Sequence, residues 1–371
     1  MNITSNTTLS SYLTGLSVDE ILDQWGFQLW QDSVNHFFVP TIALSGAGAS
    51  LLNAWILIKH RSKFTDPVFV YFRLLSLVCL AGSLIILPNL FCYSPRFFPS
   101  IDTYACGICL LIGRFLIPFF YHYCSTLEIC ILLTRMKAFN PFIKKHFIIS
   151  PKTISLVLFL ACLIIGLPVL FSISIVNRGD FYYFDADGLR HTATFYDMTS
   201  SQFVMSLLGK LSLIAAYIFG VLFTLIVAVI VNVVSILQYK AYLMRLEREA
   251  AVIQMRINNI QPSSSSKSEL KKLPVEIQKI LNQKERNQRK IEKNMFGMAL
   301  TLCTISIVSR ILITVNVVLY LLFFSLSVVK VSVTLSLVTY ALVFATPIFV
   351  FFKFNRAFRR ELRRVFRRNR K

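Results

Sequence analysis

The chain has 371 residues, 55% of them apolar and only 15% charged, with 33 phenylalanines and a formal net charge of +21. A soluble domain carries about a quarter charged residues, and apolar runs long enough to cross a bilayer recur here, so the composition excludes a soluble globular domain and points to an integral membrane protein. The basic excess does not mark nucleic-acid binding, because no Lys or Arg precedes Lys59 and the basic residues gather in alternate loops and the tail, as expected of segments facing anionic lipid.

Residues 1–37 are polar and acidic, with Asp19, Glu20, Asp23 and Asp32 and two glycosylation sequons at Asn2 and Asn6. Residues 20–37 have the pattern of a short amphipathic helix, and no basic n-region with an apolar core marks a cleaved signal peptide. Spans are expected at about 38–58, 68–91, 107–134, 153–176, 203–237, 295–323 and 328–352. An N-terminus outside the cell makes 59–67, 135–152, 238–294 and 353–371 cytoplasmic, and the lysines and arginines of these segments agree (Lys59, Arg61 and Lys63 in the first; Lys137, Lys144, Lys145 and Lys152 in the second). The outer loop 177–202 instead sets Asp180, Asp185, Asp187 and Asp197 against Arg178 and Arg190.

The third span is the one the others are expected to surround. It is apolar yet carries Arg114, Glu128 and Arg135, and an ionisable residue inside a span is costly enough that it usually faces protein or water and serves function. Arg114, Tyr121, Glu128 and Arg135 follow one another at seven-residue steps. Each step drifts by only about 20° on a helix, so the four share one stripe, expected to face the bundle interior.

The long loop 238–294 has three parts: a helical continuation of the fifth span, a Pro- and Ser-rich linker around residues 261–274, and a helical lead into the sixth span. Serines 263–266 and Ser268 are candidate phosphorylation sites within a flexible linker. After Pro347, Phe354, Phe358, Leu362, Val365 and Phe366 recur at helical spacing among arginines, the pattern of an amphipathic helix on the inner leaflet. Of the eight cysteines, Cys79, Cys124, Cys130, Cys162 and Cys303 fall inside spans, where they pack as small apolar residues. Cys92, Cys106 and Cys109 fall near the outer surface and allow three pairings. No cysteine or histidine cluster has metal-ligand spacing, and no cofactor is implied.

Seven spans with a charged end to the third, a long third inner loop and a helix after the last span resemble a divergent rhodopsin-like G-protein-coupled receptor, of the kind seen in nematode-type serpentine chemosensory receptors. Asn53 in GASLLNAWILIKHR looks like the family's first-span asparagine. Thr134-Arg135-Met136 stands where the family has Asp/Glu-Arg-Tyr, with Asn140-Pro141-Phe142 downstream, and Thr346-Pro347-Ile348-Phe349-Val350 stands for Asn-Pro-x-x-Tyr. Ala81 replaces the second-span acid, the sixth span has neither Trp nor Pro, and loop 177–202 has no cysteine to reach the third span; in place of the family's bond to that loop, Cys92–Cys106 is one candidate outer disulfide among the three pairings. The resemblance implies an all-α membrane protein, a seven-transmembrane bundle with an amphipathic eighth helix, in the plasma membrane. It also implies that Arg135 meets a heterotrimeric G protein when the sixth span swings out, and that Asn53 and Pro347 serve packing and hinge roles.

The residues add further expectations. Charge at mid-membrane favours pairing, which suggests a Glu128–Arg310 salt bridge latching spans three and six, with no acid adjacent to Arg135 to hold it. Arg114, Tyr121 and Lys210 are candidates for a pocket taking an anionic or carbonyl-bearing small molecule, or a peptide, although Lys210 also reads as a residue snorkelling to the interface. His122 reads as a core histidine. No catalytic constellation is visible, so the chain reads as a non-enzyme. The competing readings are a seven-span ligand-gated channel subunit, which would need the opposite orientation, and a transporter, for which matching internal repeats are missing.

Overall fold

The computed structural model describes residues 34–92, 103–137, 139–146, 150–184, 190–259, 272–322 and 326–368. Seven of its helices are long and apolar enough to cross a membrane: Val39–Lys59, Val68–Pro88, Leu111–Met136, Pro151–Phe171, Leu207–Arg245, Lys290–Val318 and Thr334–Phe354. The chain is therefore a multi-pass membrane protein built almost entirely of helices, and these seven are called the first to seventh spans below.

Local chemistry starts the helices where the sequence changes character. The Asp66 carboxylate accepts the Val68 N–H at 3.0 Å and opens the second span, an acid placed where the helix dipole favours one. Ser150 Oγ accepts the Thr153 N–H at 3.2 Å ahead of Pro151, so the fourth span begins with a serine cap and a proline whose missing N–H costs nothing there. Ser206 Oγ does the same for Gly209 at the head of the fifth span, at 3.0 Å. The helix carrying the sixth span starts at Lys272, with Pro274 in its first turn. The helix carrying the fifth span runs on to Asn259, so most of loop 238–294 is helical extension on both sides of the linker, as its residues suggest.

Neighbouring spans pack in sequence order around a ring that closes from the seventh to the first, and the third span touches the second, fourth, fifth, sixth and seventh. Small residues allow the closest approaches: a Cβ built on Gly82 of the second span would lie 2.6 Å from the Phe344 ring of the seventh. Asn53 Nδ2 donates to Ser76 Oγ at 2.6 Å, which ties the first span to the second. The seventh span continues through Pro347 to Phe354. A further helix, Arg356–Arg368, begins after Asn355, whose side-chain oxygen accepts the Phe358 N–H at 3.0 Å. Phe358 is fully buried against Phe351, their ring centroids 5.6 Å apart, and Glu361 Oε2 lies 3.4 Å from His60 Nε2 at the end of the first span.

Two elements differ from the sequence expectation. The fourth span ends at Phe171 rather than near 176, and the following loop forms an antiparallel hairpin of β1 (Ile173–Phe184) and β2 (Arg190–Ser200) with an irregularity between Asn177 and Asp180. The physical reason lies in the residues. Ile173 and Ile175 alternate with Ser172 and Ser174, and the rest is rich in aromatic and β-branched residues, a period of two rather than 3.6. β2 lies against the third-span helix.

Candidate functional site

The third span is a single helix, Thr103–Met136, and its stripe is largely buried as its spacing predicts. Tyr121 is fully buried, Glu128 is 2% exposed, and the Arg135 side chain retains 12% exposure. Arg114 departs from the pattern and is exposed. Pro118 lies one turn along the same continuous helix, and a long basic side chain toward the end of a span can reach the surface.

At the middle of the span the stripe meets Arg310 of the sixth span, which is itself fully buried. Its partner is the fifth span. There the helix widens into a π segment, Ile218–Phe223, and such a bulge frees backbone carbonyls from their usual i→i+4 bonds. Arg310 Nη1 donates to the Gly220 carbonyl at 2.7 Å and to the Thr224 hydroxyl, with the Val221 carbonyl at 3.5 Å. The guanidinium lies 5.4 Å from the centre of the Tyr121 ring, a cation–π distance. The Tyr121 hydroxyl pairs with Ser309 Oγ at 2.9 Å, and its ring meets Tyr340 of the seventh span edge-on at 5.1 Å. Four spans thus converge on one aromatic and one guanidinium.

The expected Glu128–Arg310 salt bridge is not formed. Helix register explains this: Arg310 and Ser309 sit opposite Tyr121, whereas Glu128, two turns along the third span, sits opposite Ser306. Glu128 Oε2 and Arg310 Nε and Nη2 are buried with no hydrogen-bond partner, as is His122 Nδ1. The one breaker in the π segment is Gly220, and an isolated glycine within an apolar helix is tolerated often enough that it does not by itself mark a bulge.

At the end of the span, Arg135 has the acid partner that the sequence reading did not find. Arg135 Nη2 lies 2.8 Å from Asp66 Oδ2, while the other oxygen of Asp66 caps the second span. Asp66 is the single acid among the cations of segment 59–67, and that isolation was the available signal. Around this pair, Asn140 Nδ2 donates to Gln238 of the fifth-span helix at 2.7 Å. Phe139 packs at 5.7 Å from Tyr239 and 5.5 Å from Phe296, joining the ends of the third, fifth and sixth spans.

The proposed pocket residues are not gathered into one enclosed site: Tyr121 is buried against Arg310, whereas Arg114 and Lys210 are both exposed. Exposure of Lys210 fits its reading as a snorkelling residue. Asn2 and Asn6 precede the described residues, and the side chains of Cys92 and Cys106 lie outside them. Among the described residues no group of three or more His, Cys, Asp or Glu is placed to hold a metal. Set against known proteins, the chain matches no family model, and no curated protein is similar enough to count as a relative.

Proposed function

We propose that this chain is a G-protein-coupled receptor of chemosensory type, placed in the plasma membrane with its N-terminus outside and glycosylated at Asn2 and Asn6. The observation that carries this reading is the Arg135–Asp66 pair, because it supplies the restraint that the sequence alone left missing on the arginine at the end of the third span. In the receptor reading this is the resting state, and a heterotrimeric G protein takes the place of Asp66 once the sixth span moves out. A ligand that prefers the outward arrangement shifts the population toward it. Arg310 holds the sixth span to the bulge of the fifth, so those two spans move as a unit relative to the third. The arginine-rich face of helix Arg356–Arg368 lies on the inner leaflet, and the helix is kept there by Phe358 and Glu361.

The test is G-protein activation in cells, comparing wild type with Arg135→Ala at matched surface expression, with an epitope at each terminus. Loss of basal or extract-stimulated activity in the variant, with the N-terminus outside, is the expected result. An intracellular N-terminus with a ligand-evoked current would replace the receptor with a channel.

A further inference from the structure

A groove of about 380 Å³ opens between the second, third and fourth spans near the end that carries Arg135. Its wall is apolar, formed largely by Leu74, Leu156 and Phe159, and two cations line it, Arg73 and Lys152. Among its lining residues there is no carboxylate. The polar groups of its floor are already paired: the Tyr123 hydroxyl donates to the Ser155 carbonyl at 3.1 Å, and Ser155 Oγ donates to the Pro151 carbonyl at 2.8 Å.

Arg73 is the group left over. It is the sixth residue of a helix that starts at Val68, so its Cα lies roughly 8 Å into the helix at 1.5 Å per residue. A guanidinium at such a depth needs a counter-charge. Its Nη2 reaches only a neutral acceptor, the Phe64 carbonyl at 3.3 Å, and its Nε is buried without a partner. Lys152, the second residue of the fourth-span helix, brings more positive charge to the same end of the groove.

We infer that this groove is a binding site for one anionic glycerophospholipid of the inner leaflet, with the phosphate between Arg73 and Lys152 and an acyl chain along Leu74, Leu156 and Phe159. The amphiphilic gradient carries the inference. Cations stand at the level of a span's first turns, an apolar trough runs from them toward mid-membrane, and the exposed Leu156 leaves the trough open on its outer side. A free anion would leave the trough empty, and in a zwitterionic lipid the headgroup's own cation would offset the phosphate charge beside Arg73 and Lys152. The assignment to the inner leaflet rests on the orientation proposed above, but lipid retention is measured without any signalling, so failure of the receptor reading and failure of the site are separately visible.

The experiment is native mass spectrometry of the full-length protein in detergent, titrated with phosphatidylserine or with phosphatidylcholine of the same acyl chains. Wild type is expected to retain phosphatidylserine in preference to phosphatidylcholine, and Arg73→Gln/Lys152→Gln to retain one phosphatidylserine fewer at an unchanged melting temperature. Arg359→Gln/Arg363→Gln, on the C-terminal helix, is expected to leave that lipid in place. Leu156→Trp fills the trough with both cations intact and is expected to expel the same lipid, which keeps the test valid if the double variant folds poorly. Equal retention by the double variant, equal retention of phosphatidylcholine, or displacement of the lipid by inorganic phosphate alone would overturn the assignment.

Discussion

The third and fourth spans lie side by side and obey opposite rules. Two thirds of the third-span window is buried, at 67%, against 11% for the fourth, although the fourth is the more apolar of the two. In water that order would be reversed. Lipid tails solvate leucine as well as a protein interior does, so nothing drives the fourth span inward, whereas Tyr121, Glu128 and Arg135 are far costlier facing hydrocarbon than facing other side chains. The difference teaches that polarity, rather than apolarity, marks the core of this protein.

The comparison breaks most sharply at Arg310, the polar contact that binds the core to the fifth and sixth spans. Arg310→Leu leaves the Gly220 carbonyl and the Thr224 hydroxyl without their charged donor, and at about 1–3 kcal/mol for each acceptor left unpaired the expected loss is about 2–6 kcal/mol of stability, read as a fall in surface expression and in melting temperature in detergent. Unchanged expression would mean that these bonds do not hold the fifth and sixth spans together. The next largest effect is a matched truncation. Leu127→Ala in the third span, fully buried, should cost about 2–5 kcal/mol, while Ile164→Ala in the fourth, 66% exposed, should stay within about 0.5 kcal/mol. Similar losses at the two positions would erase the contrast. The smallest effect concerns Asp66, whose side chain is 43% exposed. An ion pair so open to solvent is worth about 0.2–1 kcal/mol, so on the receptor reading proposed above Asp66→Asn should raise basal G-protein activation by no more than about fivefold. Exchanging the two residues, Asp66→Arg with Arg135→Asp, should not return stability to wild type, because an arginine at 66 cannot accept the Val68 N–H that opens the second span.

Much of this organisation could be read from particular residues. The seven-residue steps from Tyr121 through Glu128 to Arg135 identified the buried face of the third span, because helical geometry alone fixes which residues share a face. The same spacing misjudged Arg114, since a face is a direction and the end of a span can carry that direction out to the surface. The hairpin was also legible in principle: the Ile–Ser alternation from Ser172 carries a strand period, hidden beneath the apolar run that preceded it. Asn53 was placed by its motif, and the structure supplied what it holds, Ser76 of the second span.

What the sequence by itself determined is therefore the number of spans, the segregation of positive charge and the centrality of the third helix. Each of these follows from local periodicity or from the cost of charge in lipid. The tertiary structure alone decided the partners. Arg310 bonds a carbonyl 90 residues away, in a bulge whose one glycine does not announce it, and Arg135 finds Asp66 at the head of the second span. A side-chain pattern fixes the direction in which a group points, but which acceptor stands there depends on the register between helices, and register is set by packing over their whole length.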